Sequence, residues 1–205
     1  MPFTINSYWF VDMNTISGIV TVDTTVYEFT ASLTPIGSGG SEDGTQVWSI
    51  ALSSNTTNAN AQSIRNLHPS ISAGGQQVRL HIAGSTAAAT SAERVAVGIS
   101  SGSGSNTSAT PVELTFGGFA GFSLAAGGTI VSDWADLTTS VGNNLISIFD
   151  MAAGTQGMRY GGVTGAHAFA KDSTDSYNQS SVTGFTQINN RTYFVTSIEV
   201  RNTPT

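Results

Sequence analysis

The pentapeptide Gly98-Ile99-Ser100-Ser101-Gly102 has the G-x-S-x-G spacing of a nucleophile elbow. In such an elbow a strand turns sharply into a helix and lifts a serine hydroxyl over an oxyanion hole. Here a Ser/Gly-rich stretch, Ser100 to Thr110, follows instead of a helical pattern, so the match reads as a product of composition. A triad would also need a histidine beside the serine with a carboxylate behind it. The three histidines are His68, His81 and His167. His68 precedes Pro69 and is expected in a turn. His81 is expected to point away from the Leu80 and Ile82 face of a strand. Neither has an acidic residue at metal-ligand spacing.

Asp150, Asp172 and Asp175, with Asn178, offer oxygen ligands of the kind hard cations take in loops. Asp172-Ser173-Thr174-Asp175 lacks the EF-hand spacing, so a solvated loop is favoured and Asp172 and Asp175 stay as weak calcium candidates. No cofactor is expected. The aromatic residues carry more. Trp134 stands in Ser132-Asp133-Trp134-Ala135-Asp136, and Tyr160 and Tyr177 lie in Gly/Ser/Asp-rich stretches with His167 nearby in sequence. Aromatic rings flanked by Asp, Asn and Gln suit sugars, because a ring face packs on C–H bonds while polar tips read hydroxyls. Trp134, Tyr160, His167 and Tyr177 are therefore the candidate glycan site. The plainer alternative is that Trp134 packs over a sandwich edge.

These groups need a scaffold, and composition names its class. In 205 residues only 10% are charged, against about 25% in an ordinary globular domain. Glycine, serine, threonine and asparagine fill the difference, which is strand and turn chemistry. Net charge is −6 with only 7 scattered Lys and Arg residues, which argues against phosphate neutralisation, hence against nucleic acid and anionic membrane surfaces. There is no cysteine, so neither a disulfide framework nor a thiolate zinc site is expected. The first residues lack the basic and apolar regions of a signal peptide, and no apolar run reaches the roughly 20 residues of a membrane span.

Strand-like segments recur between turn signals. They include residues 16–22, 25–31, 46–52, 77–82, 94–99, 111–116, 119–124, 129–131, 145–149, 185–188 and 192–200. In Gln46 to Leu52 alternation puts Val47 on one face and Trp48 on the other. Residues 55–61 are Asn/Thr-rich and expected to be a loop. Gly117-Gly118 and Gly127-Gly128 suit tight turns, and Asp133 and Asp136 suit capping. About ten to twelve strands and no amphipathic helix imply an all-β, jelly-roll-like antiparallel β-sandwich. One domain is expected over 1–205, with 1–62 as its first strands and candidate attachment or oligomerisation segment.

Several motifs in order give a family resemblance. They are Ile64-Arg65, Ser70-Ile71-Ser72-Ala73-Gly74-Gly75, Val78-Arg79-Leu80, Leu114-Thr115-Phe116-Gly117-Gly118, Val131-Ser132-Asp133 and Leu145-Ile146-Ser147-Ile148-Phe149. Over about residues 64–200 the chain resembles the non-catalytic β-sandwich region that precedes the catalytic domain of secreted SGNH (GDSL-type) esterases. That resemblance implies a sandwich. In the family a Gly-Asp-Ser block follows this region, and no such tripeptide occurs here. Ala83-Gly84 also replaces the usual Ser-Asn. The expectation is thus a non-catalytic structural or binding protein rather than an enzyme. The favoured setting is a bacteriophage virion surface, as capsid decoration or tail, hence extracellular, forming homo-oligomers or binding other virion proteins and a cell-surface glycan. The alternatives are an accessory domain excised from a secreted esterase and a small hydrolase with an unrecognised site.

Overall fold

The computed structural model describes residues 4–12, 15–22, 25–32, 44–58, 62–102, 104–172 and 176–203, the first three segments as backbone only. The chain divides into two compact units, one built on Met1–Glu42 and one spanning Asp43–Thr203. In the first, β1 (Thr4–Asp12), β2 (Thr15–Val22) and β3 (Thr25–Ser32) form an antiparallel sheet in that order. β-branched and aromatic residues crowd all three segments, which favours extended backbone.

The second unit holds two main sheets. The larger contains β6 (Ser63–His68), β8 (Thr90–Ile99), β9 (Val112–Phe116), β10 (Phe119–Ala120), β14 (Leu145–Met151), β16 (His167–Lys171) and β17 (Thr186–Asn189). Its order is β10-β9-β8-β14-β6-β16-β17, and β11 (Phe122–Leu124) also pairs with β8. The smaller has β7 (Gly75–Ala83) beside β12 (Thr129–Val131) and β13 (Ala135–Thr139), followed by β19 (Val195–Arg201) and β4 (Thr45–Ser49). A third sheet joins β18 (Thr192–Tyr193), β15 (Gln156–Gly161) and β5 (Ser54–Asn58). Every strand pair is antiparallel. The expected all-β sandwich is what the second unit forms.

The core lies between the two main sheets. Val78, Leu80 and Ile82 of β7 and Ile198 and Val200 of β19 meet Ile64, Val95, Val97 and Phe149 of the larger sheet. Period-two alternation puts Arg79 and His81 on the other face of β7, where both are partly exposed. β14 behaves differently, for all seven of its residues are buried. Ile146 and Ile148 join Leu67, Ala96 and Phe169 in a second apolar cluster on the far face of the larger sheet, with Tyr177 and Phe185 packed against it. A sheet covered on both faces needs apolar residues throughout, so its central strand loses alternation.

Four sequence expectations change. Val47 and Trp48 both pack on the core, because the β4–β19 register jumps between Ile198↔Trp48 and Glu199↔Gln46. That bulge inserts Val47 and cancels the alternation. Residues 54–58, overlapping the loop expected over 55–61, form β5 because Gln156–Tyr160 supply a full ladder of partners. His68 ends β6 fully buried instead of lying in an open turn. The described residues hold nineteen strands, more than expected: β1, β5, β6, β13, β15 and β16 lie outside the expected segments, and two of those segments split, 119–124 into β10 and β11 and 192–200 into β18 and β19.

Between β10 and β11, Gly121 has φ +68°, and a Cβ there would lie 2.3 Å from the Ala92 carbonyl oxygen. Gly121→Ala is therefore expected to cost about 2–3 kcal/mol, combining left-handed strain with a backbone collision. Urea unfolding checks this; a variant within about 0.5 kcal/mol of the parent contradicts it.

Candidate functional site

The connection from β12 to β13 carries Ser132, Asp133 and Trp134. Ser132 Oγ accepts from the Leu80 amide at 3.0 Å and fixes the connection to β7. Asp133 accepts from Thr115 Oγ1 at 2.7 Å and from the Gly117 and Gly118 amides at 3.1 and 2.8 Å. These bonds, the Gly118 amide first, hold its carboxyl below the usual range. Gly117 and Gly118 have φ of +61° and +82°, which aims both amides at that carboxylate. Asp133 is thus the brace that sets where Trp134 stands.

Trp134 lies against the outward face of β7 and β19. The Arg79 and Arg201 guanidinium carbons each stand over its ring, 4.4 Å from the centroid. The Gly44 backbone passes the indole edge so closely that a Cβ would lie 2.3 Å from Trp134 Cη2. The register sets Glu199 opposite Arg79 and Arg201 opposite Gln77. Glu199 Oε2 accepts from Arg79 Nε at 2.6 Å, and Glu199 Oε1 is 3.0 Å from His81 Nε2. Burial pushes the Glu199 carboxyl up, but Arg79 and His81 outweigh it and hold it below its ordinary value. Arg201 Nε donates to Gln77 Oε1 at 2.8 Å, and Gln77 Nε2 donates to Asp136 Oδ1 at 2.7 Å. Trp134 Nε1 and Arg201 Nη1 are shielded from water and have no hydrogen-bond partner.

The four glycan candidates do not converge. Tyr160 belongs to the three-stranded sheet, with the Arg191 guanidinium 4.4 Å from its ring centroid and the Tyr193 ring at 5.5 Å. His167 opens β16 opposite Leu67, with its ring 6.4 Å from Phe169. Tyr177 is tied by its amide to Asp150 Oδ2 at 3.0 Å, toward the Ser63 end of the same sheet, under the Arg94 guanidinium at 5.6 Å. Three of the four therefore carry an arginine of their own chain over the ring. Phe185, under Arg65 at 5.6 Å, repeats the arrangement.

Asp172 Oδ1 accepts from Gln62 Nε2 at 2.7 Å beside an open cleft of about 400 Å³ lined by Lys171, Thr186 and Ile188. Asp175 lies outside the described residues. Asp150 Oδ2 accepts from the Ser176 and Tyr177 amides. Among the described residues no three His, Asp or Glu side chains gather as a metal would need. Ser100 Oγ donates to the Gly102 carbonyl within its own loop.

A buried polar network has no signal in the sequence. Asn66 accepts from the Tyr193 amide at 2.8 Å and donates to Ser147 Oγ at 3.2 Å, and Ser147 Oγ meets His68 Nε2 at 2.8 Å. This serine–histidine pair has the spacing of a nucleophile and base. Both residues are 0% exposed, and His68 Nδ1 has no carboxylate partner. No protein-family model and no curated protein matches this chain.

Proposed function

We propose that the chain is a non-catalytic β-sandwich module that works through its surface, as a structural and glycan-binding protein outside cells, with a bacteriophage capsid or tail as its setting. One observation carries this reading. The groups that could do chemistry are engaged by the scaffold itself: Ser100 in its loop, Ser147 and His68 in the core, His81 on Glu199, and Asp133, Asp150 and Asp172 on N–H donors. What faces outward around Trp134, partly exposed and held between two cations, is recognition chemistry, namely guanidinium groups, an indole and amides. The low-charge, Ser/Thr/Gly-rich composition fits a protein exposed on a particle.

A glycan array with the purified chain and Trp134→Ala tests it. Selective binding by the parent, lost in the variant, is expected. Hydrolysis of p-nitrophenyl esters that disappears in Ser100→Ala would show the chain to be an enzyme and overturn the proposal.

A further inference from the structure

We infer that the outward face of β7 and β19 is a site for an acidic saccharide, whose carboxylate is gripped by Arg79 and Arg201 on either flank of the β7–β19 pairing. This rests on the binding-module reading and names its ligand class. The argument begins with donors. Arg79 meets a protein acceptor only through Nε, at Glu199, and Arg201 only through Nε, at Gln77. Both terminal nitrogens of Arg79, and Nη2 of Arg201, have no acceptor among the described residues and reach the surface, whereas Arg201 Nη1 is shielded beside the indole. Guanidinium groups present N–H pairs in a fork that matches a carboxylate, and stacking on an aromatic ring holds such a fork in place before the ligand arrives. The indole serves here as the holder of two cations, so its ring surface is already engaged by the protein. Discrimination then falls to the acid group rather than to stacking on a neutral sugar.

The carboxylates around the site select the kind of acid. Glu199 lies between Arg79 and His81, and Asp136 stands at the exposed rim, hydrogen-bonded to Gln77. A run of carboxylates, as in an acidic peptide, would be repelled by both. A sugar carrying one acid per ring and several hydroxyls fits, since Asp136 accepts from hydroxyls while the forks take the acid.

The test is titration calorimetry with sialyllactose and methyl galacturonoside, each carrying a single carboxylate, with their neutral counterparts lactose and methyl galactoside, and with polyglutamate. The chains are the parent, Arg201→Gln, Arg79→Gln and, at an exposed position with no part in the site, Val141→Ala, each shown to be folded by its thermal transition. Acidic saccharides are expected to bind, with at least about tenfold loss in either arginine variant and none in Val141→Ala. If Arg79→Gln does not fold, Arg201→Gln decides. Neutral glycans bound equally well, with affinity unchanged in Arg201→Gln, would overturn the acidic site and leave the binding module standing. Stronger binding of polyglutamate would overturn the saccharide. Silence toward every probe, together with an empty glycan array, would overturn both readings.

Discussion

Arg65→Met is expected to lower the unfolding free energy by about 3–5 kcal/mol, the range for removing one member of a buried charged network. Arg65 sits on β6 with no exposed surface. Its Nη1 donates to the Ser105 carbonyl at 2.9 Å, and its Nη2 to those of Ser176 at 2.5 Å and Gln179 at 2.7 Å. One side chain thus pins two separate loops over the outer face of the larger sheet. Burial pushes its guanidinium down to about 10, with the Asp150 carboxylate pulling the other way, so it stays charged at neutral pH. Methionine keeps much of the volume but removes three hydrogen bonds to loop carbonyls and the buried positive charge that interacts with Asp150. Arg65→Lys should recover only part of the loss, because an ammonium lacks the fork that spans both loops. Urea unfolding of the three chains measures this, and an Arg65→Met protein within about 1 kcal/mol of the parent contradicts it.

Acid should weaken the fold well before its carboxylates titrate. Burial drives the His68 ring down to about 3, against roughly 6.5 in an unfolded chain. Between those values the unfolded state binds the proton and the folded state does not, so stability rises with pH. The contribution is complete above about 6.5 and is lost as pH falls toward 3, on the order of 4–5 kcal/mol over the window and about 2 kcal/mol by pH 5. Glu199 and Asp133, held below their ordinary values, work in the same direction but at lower pH, since carboxylates must first protonate. His68→Gln removes the titrating ring while leaving an amide to meet Ser147. That variant starts less stable, so the comparison is of slopes. Equal losses for parent and variant between pH 7.5 and 5 would show that His68 is not the cause.

Part of this architecture is legible in the chain and part is not, for physical reasons. Val78, Leu80 and Ile82 announce their face, because period-two alternation is a local property of a strand with one buried side. The apolar run Leu145 to Phe149 announces a strand but not that a second layer covers it. Trp48 is misplaced by alternation because a bulge belongs to a pair of strands, and the partner here, Val195–Arg201, lies near the other end of the second unit. Ser54–Asn58 gives no strand signal, since its extended backbone is imposed by β15 rather than by its own side chains. Trp134 stands out as an exposed-aromatic candidate, yet the two arginines over it come from strands far before and far after it in the chain, β7 and β19. No spacing rule in sequence connects those three positions. The expectation for His68 came from Pro69, which does end the strand but says nothing about depth.

The position of β19 between β7 and β4 has a bearing on how the protein is made. Strand β4 opens the second unit, and its partner in the ladder is the last strand of that unit to be synthesised. Until then the ribosome holds a chain whose β7 has only β12 and β13 beside it, with the inward residues of the missing strand, Val195, Ile198 and Val200, still absent from the core. Closure of the smaller sheet is therefore a late, long-range event, of the kind that slows folding and leaves strand edges open to wrong partners. Nascent chains halted before Val195 should be captured by chaperones or degraded, and release of the final strand should convert the whole second unit at once.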